Sequence, residues 1–494
     1  MKTSATLVLK NTLYNILGKV LPFIIALVSI PILISYLGTD RFGILTLTWV
    51  FVGYFSLFDL GLGRAIVKTV AERVGTNNES DIYSIFRLTS SLLGLLGILA
   101  GAVLFLTTPV LVTSVLNIPE EYVEESILAL YYLSLALPFT LLSTAFRGIL
   151  EAWQKFGMLN IVQSSIGTLT YVVPVLVVFY EPRLDYVVAS LALIRIAGSG
   201  MFLYFAKKQI NKVEKPVEKN DGLLKELLGF GGWVTVSNIL DPLLNYLDRF
   251  VIGSLLSMSA VAYFTTPFEV TTKLVVIPAA LIASLFPALS NLAVLAPERL
   301  KTMIGDSYHF LVAITFLICF TGIMGSELFL HYWIDEEFAR ESTFILQIFL
   351  LGFFVNSLAK IPFSHLQSIG KPDITAKIHL AEAPFTILFI FLGAIYYGIV
   401  GVALVRFFRV LVDMVLLMLF SSRFIENLKM PFKRIFFHLG VLICAVLATM
   451  LKPGLLITAG TIVLGGLIYL IYFWFASEER HKNYLGNLSS NLFG

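Results

Sequence analysis

Long apolar runs separated by short polar segments make up most of the chain. A helix needs about 17 to 25 mainly apolar residues to cross a hydrocarbon core of roughly 30 Å. The runs are residues 20–39, 42–58, 88–119, 126–146, 156–180, 186–206, 227–247, 250–297, 307–326, 342–359, 383–422, 435–451 and 453–477. We divide the region 227–297 near residues 257–259 and the run 383–422 near Tyr397 and Gly398. The pattern predicts an all-α polytopic membrane protein with about 14 transmembrane helices.

The composition excludes a soluble globular protein. Charged residues are 14% of the 494 and apolar residues are 57%, whereas about a quarter of an ordinary soluble domain is charged. The net charge is only +3, and the basic residues do not form a patch of the kind that binds nucleic acid. Cys319 and Cys444 lie in apolar runs, which favours packing over disulfide chemistry. We expect the first span to be an uncleaved signal-anchor, since residues 1–10 carry no small-residue cleavage site followed by a soluble domain.

The distribution of basic residues predicts the orientation, because cytoplasmic loops carry an excess of Lys and Arg. With the N-terminus inside, the inner segments hold 23 basic residues. The outer loops hold four, Arg41, Arg183, Arg340 and Lys452. We therefore predict a multi-pass protein with both termini in the cytoplasm, and the even number of helices agrees.

A charged stretch divides the predicted helices into two groups. Residues 207–226 hold six Lys and four acidic residues, which indicates a solvated cytoplasmic linker. Residues 146–157 weakly resemble residues 363–372, and each segment follows the fourth span of its group. Such duplication is frequent in transporters, whose substrate site lies between the repeats near the midplane. The predicted divisions are an N-lobe (1–206), the linker (207–226), a C-lobe (227–422), and helices 13 and 14 with a cytoplasmic tail (423–494).

Charged residues at membrane depth are the main functional candidates, because a charge in hydrocarbon is energetically costly. At about 1.5 Å per residue along a helix, six lie near the centre of a span: Arg195, Asp241, Glu269, Lys273, Arg406 and Arg409. Lys19 and Glu382 lie nearer the cytoplasm. Arg64, Asp248 and Arg249 lie near span ends, where a side chain can reach the interface.

Spacing places several of these charges on shared helix faces. Two polar stripes result, one of Asn238, Asp241, Asn245 and Asp248, and one of Arg406, Arg409 and Asp413. Stripes of this kind favour a water-filled cavity between lobes. The alternative is ion pairing that only holds helix register, Glu269 with Lys273 and Arg409 with Asp413. Arg195 and Arg406 have no obvious partner on their own helices.

The chain contains no signature of a soluble enzyme. HExxH, Walker A and GxSxG sequences are missing, and no Cys or His residues have metal-site spacing. A membrane polymerase or ligase of polysaccharides is the alternative from another class, but it would need a sizeable outer loop with catalytic groups. We therefore predict a transporter with no catalytic residue, no metal site and no cofactor.

Several segments resemble a known transporter family. They are YLGTDRFGI at residues 36–44, FDLGLGRA at 58–65, YLDRFVIG at 246–253, VAY at 261–263 and GKP at 370–372. Together they resemble the Wzx-type polysaccharide flippases, which belong to the MATE-like multidrug/oligosaccharidyl-lipid/polysaccharide exporter superfamily. The resemblance extends along the chain, and the number of helices agrees with it.

The resemblance implies a V-shaped transporter with two pseudo-two-fold related six-helix lobes and two further C-terminal helices. Its implied substrate is an undecaprenyl-diphosphate-linked oligosaccharide, moved by alternating access from the inner to the outer leaflet of the bacterial inner membrane. Coupling to H⁺ or Na⁺ is also implied. A monomer is expected, with membrane lipids and other polysaccharide assembly proteins as further partners and no nucleic acid.

The candidate site combines the family positions Arg64, Asp248 and Arg249 with the charges at membrane depth. The predicted basic groove for the diphosphate and sugar consists of Arg64, Arg195, Arg249, Lys273, Arg406 and Arg409. The predicted ion-coupling carboxylates are Asp241, Asp248 and Glu269. A multidrug exporter or a lipid II flippase of the same superfamily is the alternative. The excess of basic over acidic groups at the midplane favours an anionic substrate.

Overall fold

The computed structural model describes residues 5–55, 59, 61–76, 81–211, 246–295, 297–425, 430–452 and 454–476. All regular structure in these ranges is helical, which confirms the predicted all-α membrane fold. Eleven stretches of the described residues are long and apolar enough to span a membrane.

The helices follow one another through short connections. The first six are α1 Ala5–Phe55, α2 Leu62–Gly75, α3 Ile82–Val110, α4 Val123–Ala152, α5 Phe156–Tyr180 and α6 Leu184–Ile210. A π-helical turn, Leu111–Val115, and a 3₁₀ turn, Glu120–Tyr122, lie between α3 and α4. A helix over residues 246–255, α7, follows. The others are α8 Met258–Leu274, α9 Val276–Leu295, α10 Pro297–Trp333, α11 Glu336–Ser368, α12 Pro372–Ser422, α13 Phe432–Thr449 and α14 Leu455–Ala476.

The 51-residue helix α12 is a hairpin of two spans. Gly398 interrupts it with φ 57° and ψ −145°, a left-handed conformation that favours glycine. The backbones of Gly393 and Gly401 touch, and a Cβ on Gly401 would overlap the Gly393 carbonyl. Eight residues of continuous helix would separate these positions by about 12 Å. The chain therefore folds back at Gly398, where the sequence predicted the division, and forms a first arm (372–397) and a second arm (399–422).

The other 51-residue helix, α1, also divides at a glycine. Gly38 has φ 76° and ψ 165°, which is not helical. The predicted spans 20–39 and 42–58 meet at this point. With these two divisions, the described residues account for the predicted helices except most of helix 7, which lies outside the described ranges.

Gly401 provides a test of the hairpin. We expect Gly401→Ala to lower the melting temperature of the purified protein, because the added Cβ forces the two arms apart. Gly440→Ala in α13 is the matched control, since a Cβ there meets nothing within 4 Å. Alanine normally stabilises a helix by about 0.5 to 1 kcal/mol relative to glycine. Equal or higher melting temperatures for both variants would contradict the close contact.

The segment FDLGLGRA forms the start of the short helix α2 and the turn before it. The Asp59 carboxylate accepts a hydrogen bond of 2.9 Å from the Gly61 amide, and Gly61 begins the helix with φ 69°. Burial is the largest influence on the Asp59 carboxyl and raises its pKa, against the opposing effect of that hydrogen bond. Gly63 and Gly148 let α2 pack closely on α4, since a Cβ on Gly148 would overlap Ile66. In this segment Asp59 and Gly61 therefore form a turn, and the residues from Leu62 onward begin the packed amphipathic helix α2.

The chain forms two compact units, Met1–Thr265 and Thr266–Gly494. Within the first unit, α7 and the start of α8 pack against the N-terminal helices; one such contact joins the rings of Phe51 and Phe250 at 6.5 Å. Within the second unit, α11 packs against α10 and both arms of α12. The predicted linker 207–226 and the lobe boundary that it sets lie mainly outside the described residues and stay predictions.

Candidate functional site

Arg406 lies in a small cleft of the second unit. The cleft has a volume of about 90 Å³ and is formed by α8, α11 and the second arm of α12. Its lining residues are Phe268, Thr271, Thr272, Val275, Ile348, Phe349, Gly352, Phe353, Asn356, Arg406, Phe407 and Val410.

The environment of Arg406 suits an anionic group. The guanidinium carbon lies 4.5 Å from the centroid of the Phe268 ring, which is a cation–π contact. Thr271, Thr272 and Asn356 add polar groups to the cleft. A guanidinium can donate two parallel hydrogen bonds to a phosphate. The cleft therefore combines a cation, hydrogen-bonding side chains and apolar walls, and Arg406 lies on a helix long and apolar enough to span a membrane.

Glu269 and Lys273 form the ion pair that the sequence analysis gave as an alternative to a cavity. The Lys273 ammonium lies 3.3 Å from the Glu269 carboxylate, one helical turn away on α8. Both side chains are partly exposed. The pairing holds both groups on one face of α8.

Arg409 pairs with a different partner from the one that the sequence suggested. Its Nε lies 3.8 Å from Glu382 Oε2, whereas Asp413 lies 3.3 Å from His379 Nε2. The proposed Arg409–Asp413 pair is thus wrong as a pairing. The pairing differs because the hairpin at Gly398 brings the first arm alongside the second. Glu382 and His379 on the first arm are then the partners of Arg409 and Asp413.

The stripe of Arg406, Arg409 and Asp413 also divides between two neighbours. Arg406 faces the cleft with α8 and α11. Arg409 lines a cavity of about 550 Å³ between the two arms of α12, together with Glu382 and the exposed rings of Phe385 and Phe408. A step of three residues rotates a side chain by about 60° around a helix, and this angle is enough to separate the two arginines.

Asp248 and Arg249 are buried in the first unit, in the first described turn of α7. The Arg249 amide donates a hydrogen bond of 2.7 Å to the Asp248 carboxylate. The Arg249 guanidinium lies 5.7 Å from the Tyr246 ring centroid, and that ring contacts Tyr54 at 5.8 Å. The two charges thus belong to an aromatic cluster that joins α7 to α1.

The other predicted site residues are dispersed. Arg64 is exposed on the first turn of α2. Arg195 is half-buried on α6, and no described residue forms a hydrogen bond or ion pair with it. Asp241 lies outside the described residues. His379 was not among the sequence candidates, although its position three residues before Glu382 on one helix was the available signal.

Three turns of the first unit meet, and we call this the turn contact. Asp40 accepts a hydrogen bond of 2.9 Å from the Ser259 amide at the start of α8. The Asn117 amide donates a bond of 2.9 Å to the Gly253 carbonyl, and its side chain bonds the Leu256 carbonyl. A Cβ on Gly43 would overlap the Met258 carbonyl. The segments YLGTDRFGI and YLDRFVIG are thus joined where α7 turns into α8.

Beside the turn contact, Arg41 holds a buried carboxylate. Its Nε and Nη2 donate hydrogen bonds of 2.9 and 2.6 Å to the two oxygens of Glu125. Glu125 also accepts a bond of 3.0 Å from the Leu184 amide. This geometry connects α1, α4 and α6 through one carboxylate with three donors.

We expect Arg41→Ala to destabilise the protein by roughly 1 to 3 kcal/mol, because it leaves a buried acceptor without its charged partner. Arg340→Ala is the control, since Arg340 pairs with Glu341 at 3.2 Å on an exposed surface, where ion pairs contribute about 0 to 1 kcal/mol. Thermal unfolding of both purified variants measures the difference. Equal losses would show that the Arg41–Glu125 pair has no special structural role.

Comparisons with known proteins agree with this architecture. A family model described as "Polysaccharide biosynthesis protein" matches residues 8–293. The chain is 33% identical over 417 residues to a Shigella flexneri protein named "Putative O-antigen transporter", covering 84% of this chain and 98% of that one.

Two solved structures share the fold. One is an inward-facing multidrug resistance MATE family transporter of the MOP superfamily, with a TM-score of 0.69, 16% identity, and coverage of 84% of this chain and 98% of that one. The other is the lipid II flippase MurJ in an inward closed conformation, with a TM-score of 0.68, 15% identity, and coverage of 94% and 99%. These matches confirm the resemblance that the motifs predicted. The chain is a multi-pass membrane protein with a MATE-like transporter fold, and it belongs to the polysaccharide biosynthesis protein family.

Proposed function

We propose that the protein is a flippase for an undecaprenyl-diphosphate-linked oligosaccharide. It moves the lipid-linked repeat unit from the cytoplasmic to the outer leaflet of the bacterial inner membrane, for the synthesis of a surface polysaccharide. The observation that carries this proposal is the 33% identity, over nearly the full length of the relative, to a protein named as an O-antigen transporter.

The Arg406 cleft supports an anionic head group. A sugar diphosphate must cross about 30 Å of hydrocarbon while its prenyl tail stays among the lipids, and a buried cation lowers the electrostatic cost of that passage. Arg406 supplies the charge, and its guanidinium and the Asn356 amide supply hydrogen-bond donors. In this proposal Arg64, Arg195, Arg249, Lys273 and Arg409 are further basic groups along the path.

Transport proceeds by alternating access in this proposal. The turn contact opens in one state and closes in the other, and both termini lie in the cytoplasm. A gradient of H⁺ or Na⁺ drives the cycle through carboxylates, for which Asp241, Asp248 and Glu269 are the candidates from the sequence. Transport needs no bond-making step by the protein, so the role is that of a carrier and not of an enzyme.

Deleting the gene tests the function as a whole. We expect complete lipid-linked oligosaccharide to accumulate on the cytoplasmic face, measured by its accessibility to a glycosidase in oriented membrane vesicles. A plasmid copy of the wild-type gene should restore the normal distribution. An unchanged leaflet distribution together with greater sensitivity to cationic dyes would instead favour a multidrug exporter, and accumulation of lipid II would favour a lipid II flippase.

A further inference from the structure

Four titratable or charged side chains meet between the two arms of α12. His379 and Glu382 lie on the first arm, and Arg409 and Asp413 lie on the second. We propose that this cluster is a proton-binding site in which the Glu382 carboxylate takes up one proton and becomes a carboxylic acid.

The two carboxylates of the cluster are the first argument. Glu382 and Asp413 share the space between the arms, and their counter-groups are the Arg409 guanidinium and the His379 imidazole. Two carboxylates that share a site repel each other when both are ionised, which favours the protonation of one of them. A proton on Glu382 removes this repulsion.

The bonding of Glu382 is the second argument. Its side chain is 9% exposed, yet neither of its oxygens accepts a hydrogen bond from a described residue. Glu125 has a similarly buried side chain, 10% exposed, and accepts three hydrogen bonds. Buried ionised carboxylates normally have such donors. Among the described residues, Glu382 has an ion pair at 3.8 Å and no hydrogen-bond donor, which suits a group that exchanges a proton.

The neighbours of Glu382 favour a proton over a metal ion. No group of three or more His, Cys, Asp or Glu among the described residues has the arrangement of a metal site. The Arg409 guanidinium would repel a metal cation, whereas a proton binds a single oxygen on the far side of the carboxylate. His379 is three residues from Glu382 on the same helix face, so it can pass a proton to the site. The cavity of about 550 Å³ between the arms reaches Glu382.

Helix α11 packs against both arms beside the cluster. Among the described residues, Asp413, Arg409 and His379 are charged or titratable groups that act on Glu382. Phe363 of α11 lies with its ring parallel to that of His379 at 6.3 Å. His365 of α11 is bonded to Ser421 at 2.8 Å.

Dicyclohexylcarbodiimide tests the site directly, because it modifies protonated carboxyls in apolar surroundings. The purified full-length protein in detergent is treated at a series of pH values from about 5 to 9, and modified peptides are quantified by mass spectrometry. We expect modification of Glu382 at neutral pH that declines as the pH rises. Glu298, which is exposed and pairs with Lys301 at 2.8 Å, is the internal comparison and should be modified much less. Unmodified Glu382 across the whole range overturns the proposal.

Three variants test the direction in which each neighbouring group changes the modification of Glu382. At a fixed pH, Asp413→Asn should lower the modification of Glu382 roughly tenfold, because it removes the neighbouring negative charge. Arg409→Gln and His379→Gln should raise it, because each removes a group that competes with the proton. A purely structural role predicts changes of one sign in all three variants, and that result would overturn the proposal. Protection by NaCl at constant ionic strength would also overturn it, in favour of a sodium site.

That proton binding drives transport rests on the proposed function, whereas proton binding itself does not. Glu382→Gln, which mimics the protonated state, should therefore abolish oligosaccharide transport in the deletion strain. If the wild-type gene does not restore leaflet distribution, the proposed function fails and the modification result stands. If transport persists in the Glu382→Gln variant while Glu382 is modified in the wild type, the coupling role is overturned and the flippase proposal stands.

Discussion

Replacing Arg406 with alanine should lower oligosaccharide transport about thirtyfold while leaving the protein folded. Arg406 is the cation of the cleft formed by α8, α11 and α12, and its guanidinium packs on the Phe268 ring. A hydrogen bond to a charged group contributes about 2 kcal/mol, which is roughly a thirtyfold change in affinity. Lysine keeps the charge but loses the paired donors, so Arg406→Lys should fall between alanine and the wild type.

Arg423→Ala is the matched control for Arg406. Arg423 is exposed immediately after α12 and contacts Phe420 at 4.8 Å, so the same substitution is made beside the same helix without touching the cleft. We expect the control to transport at the wild-type rate in the leaflet assay, with both variants present in the membrane at equal amounts. Equal transport by Arg406→Ala and wild type would remove Arg406 from the substrate path.

Linking the turn contact should stop transport completely. Asp40 and Ser259 are joined by a hydrogen bond of 2.9 Å, so cysteines at these positions can be connected by a short thiol-reactive linker. If the turns separate during each transport cycle, the linked protein is held in one state. The background carries Cys444→Ser, because Cys444 is exposed, whereas Cys319 is buried and can remain.

Cleaving the linker distinguishes a protein held in one state from a protein damaged by the reagent. Cleaving a disulfide-containing linker with a reductant should restore transport, and each single-cysteine variant treated with the same reagent should remain active. Undiminished transport by a fully linked protein would show that the turn contact stays closed throughout the cycle. That result would require the opening to occur elsewhere in the protein.

The hydrophobic pattern of the sequence was sufficient to predict the membrane spans, but it was not sufficient to predict which charged residues pair with each other. Hydrophobic length and the breaks at Gly38 and Gly398 follow from local chemistry, so the helices were predictable. The pairing of Arg409 with Glu382 depends on how two arms of a hairpin align, a non-local property that helical spacing does not contain. The pairing of His379 with Asp413, 34 residues away, is equally non-local, and the spacing of His379 to Glu382 was the one local signal for it.

The family segments gave correct positions, but their structural roles required the fold. Asp40 and Gly43 bind the start of α8, and Asp59 with Gly61 starts α2. These residues build turns and close packing, whereas the Arg406 cleft carries the chemistry that fits an anionic substrate. A motif match therefore located the family, and the cleft around Arg406 defined the candidate site.

Reconstituted transport is the most direct test of the central claim. The purified protein is placed in liposomes with a fluorescent undecaprenyl-diphosphate-linked oligosaccharide in both leaflets, and an added glycosidase removes the sugars exposed outside. The flippase proposal predicts that nearly all of the label becomes cleavable with wild-type protein and that about half is cleavable with protein-free liposomes or, on the same timescale, with Arg406→Ala. Cleavage that stays at the level of protein-free liposomes with correctly folded wild-type protein would contradict it.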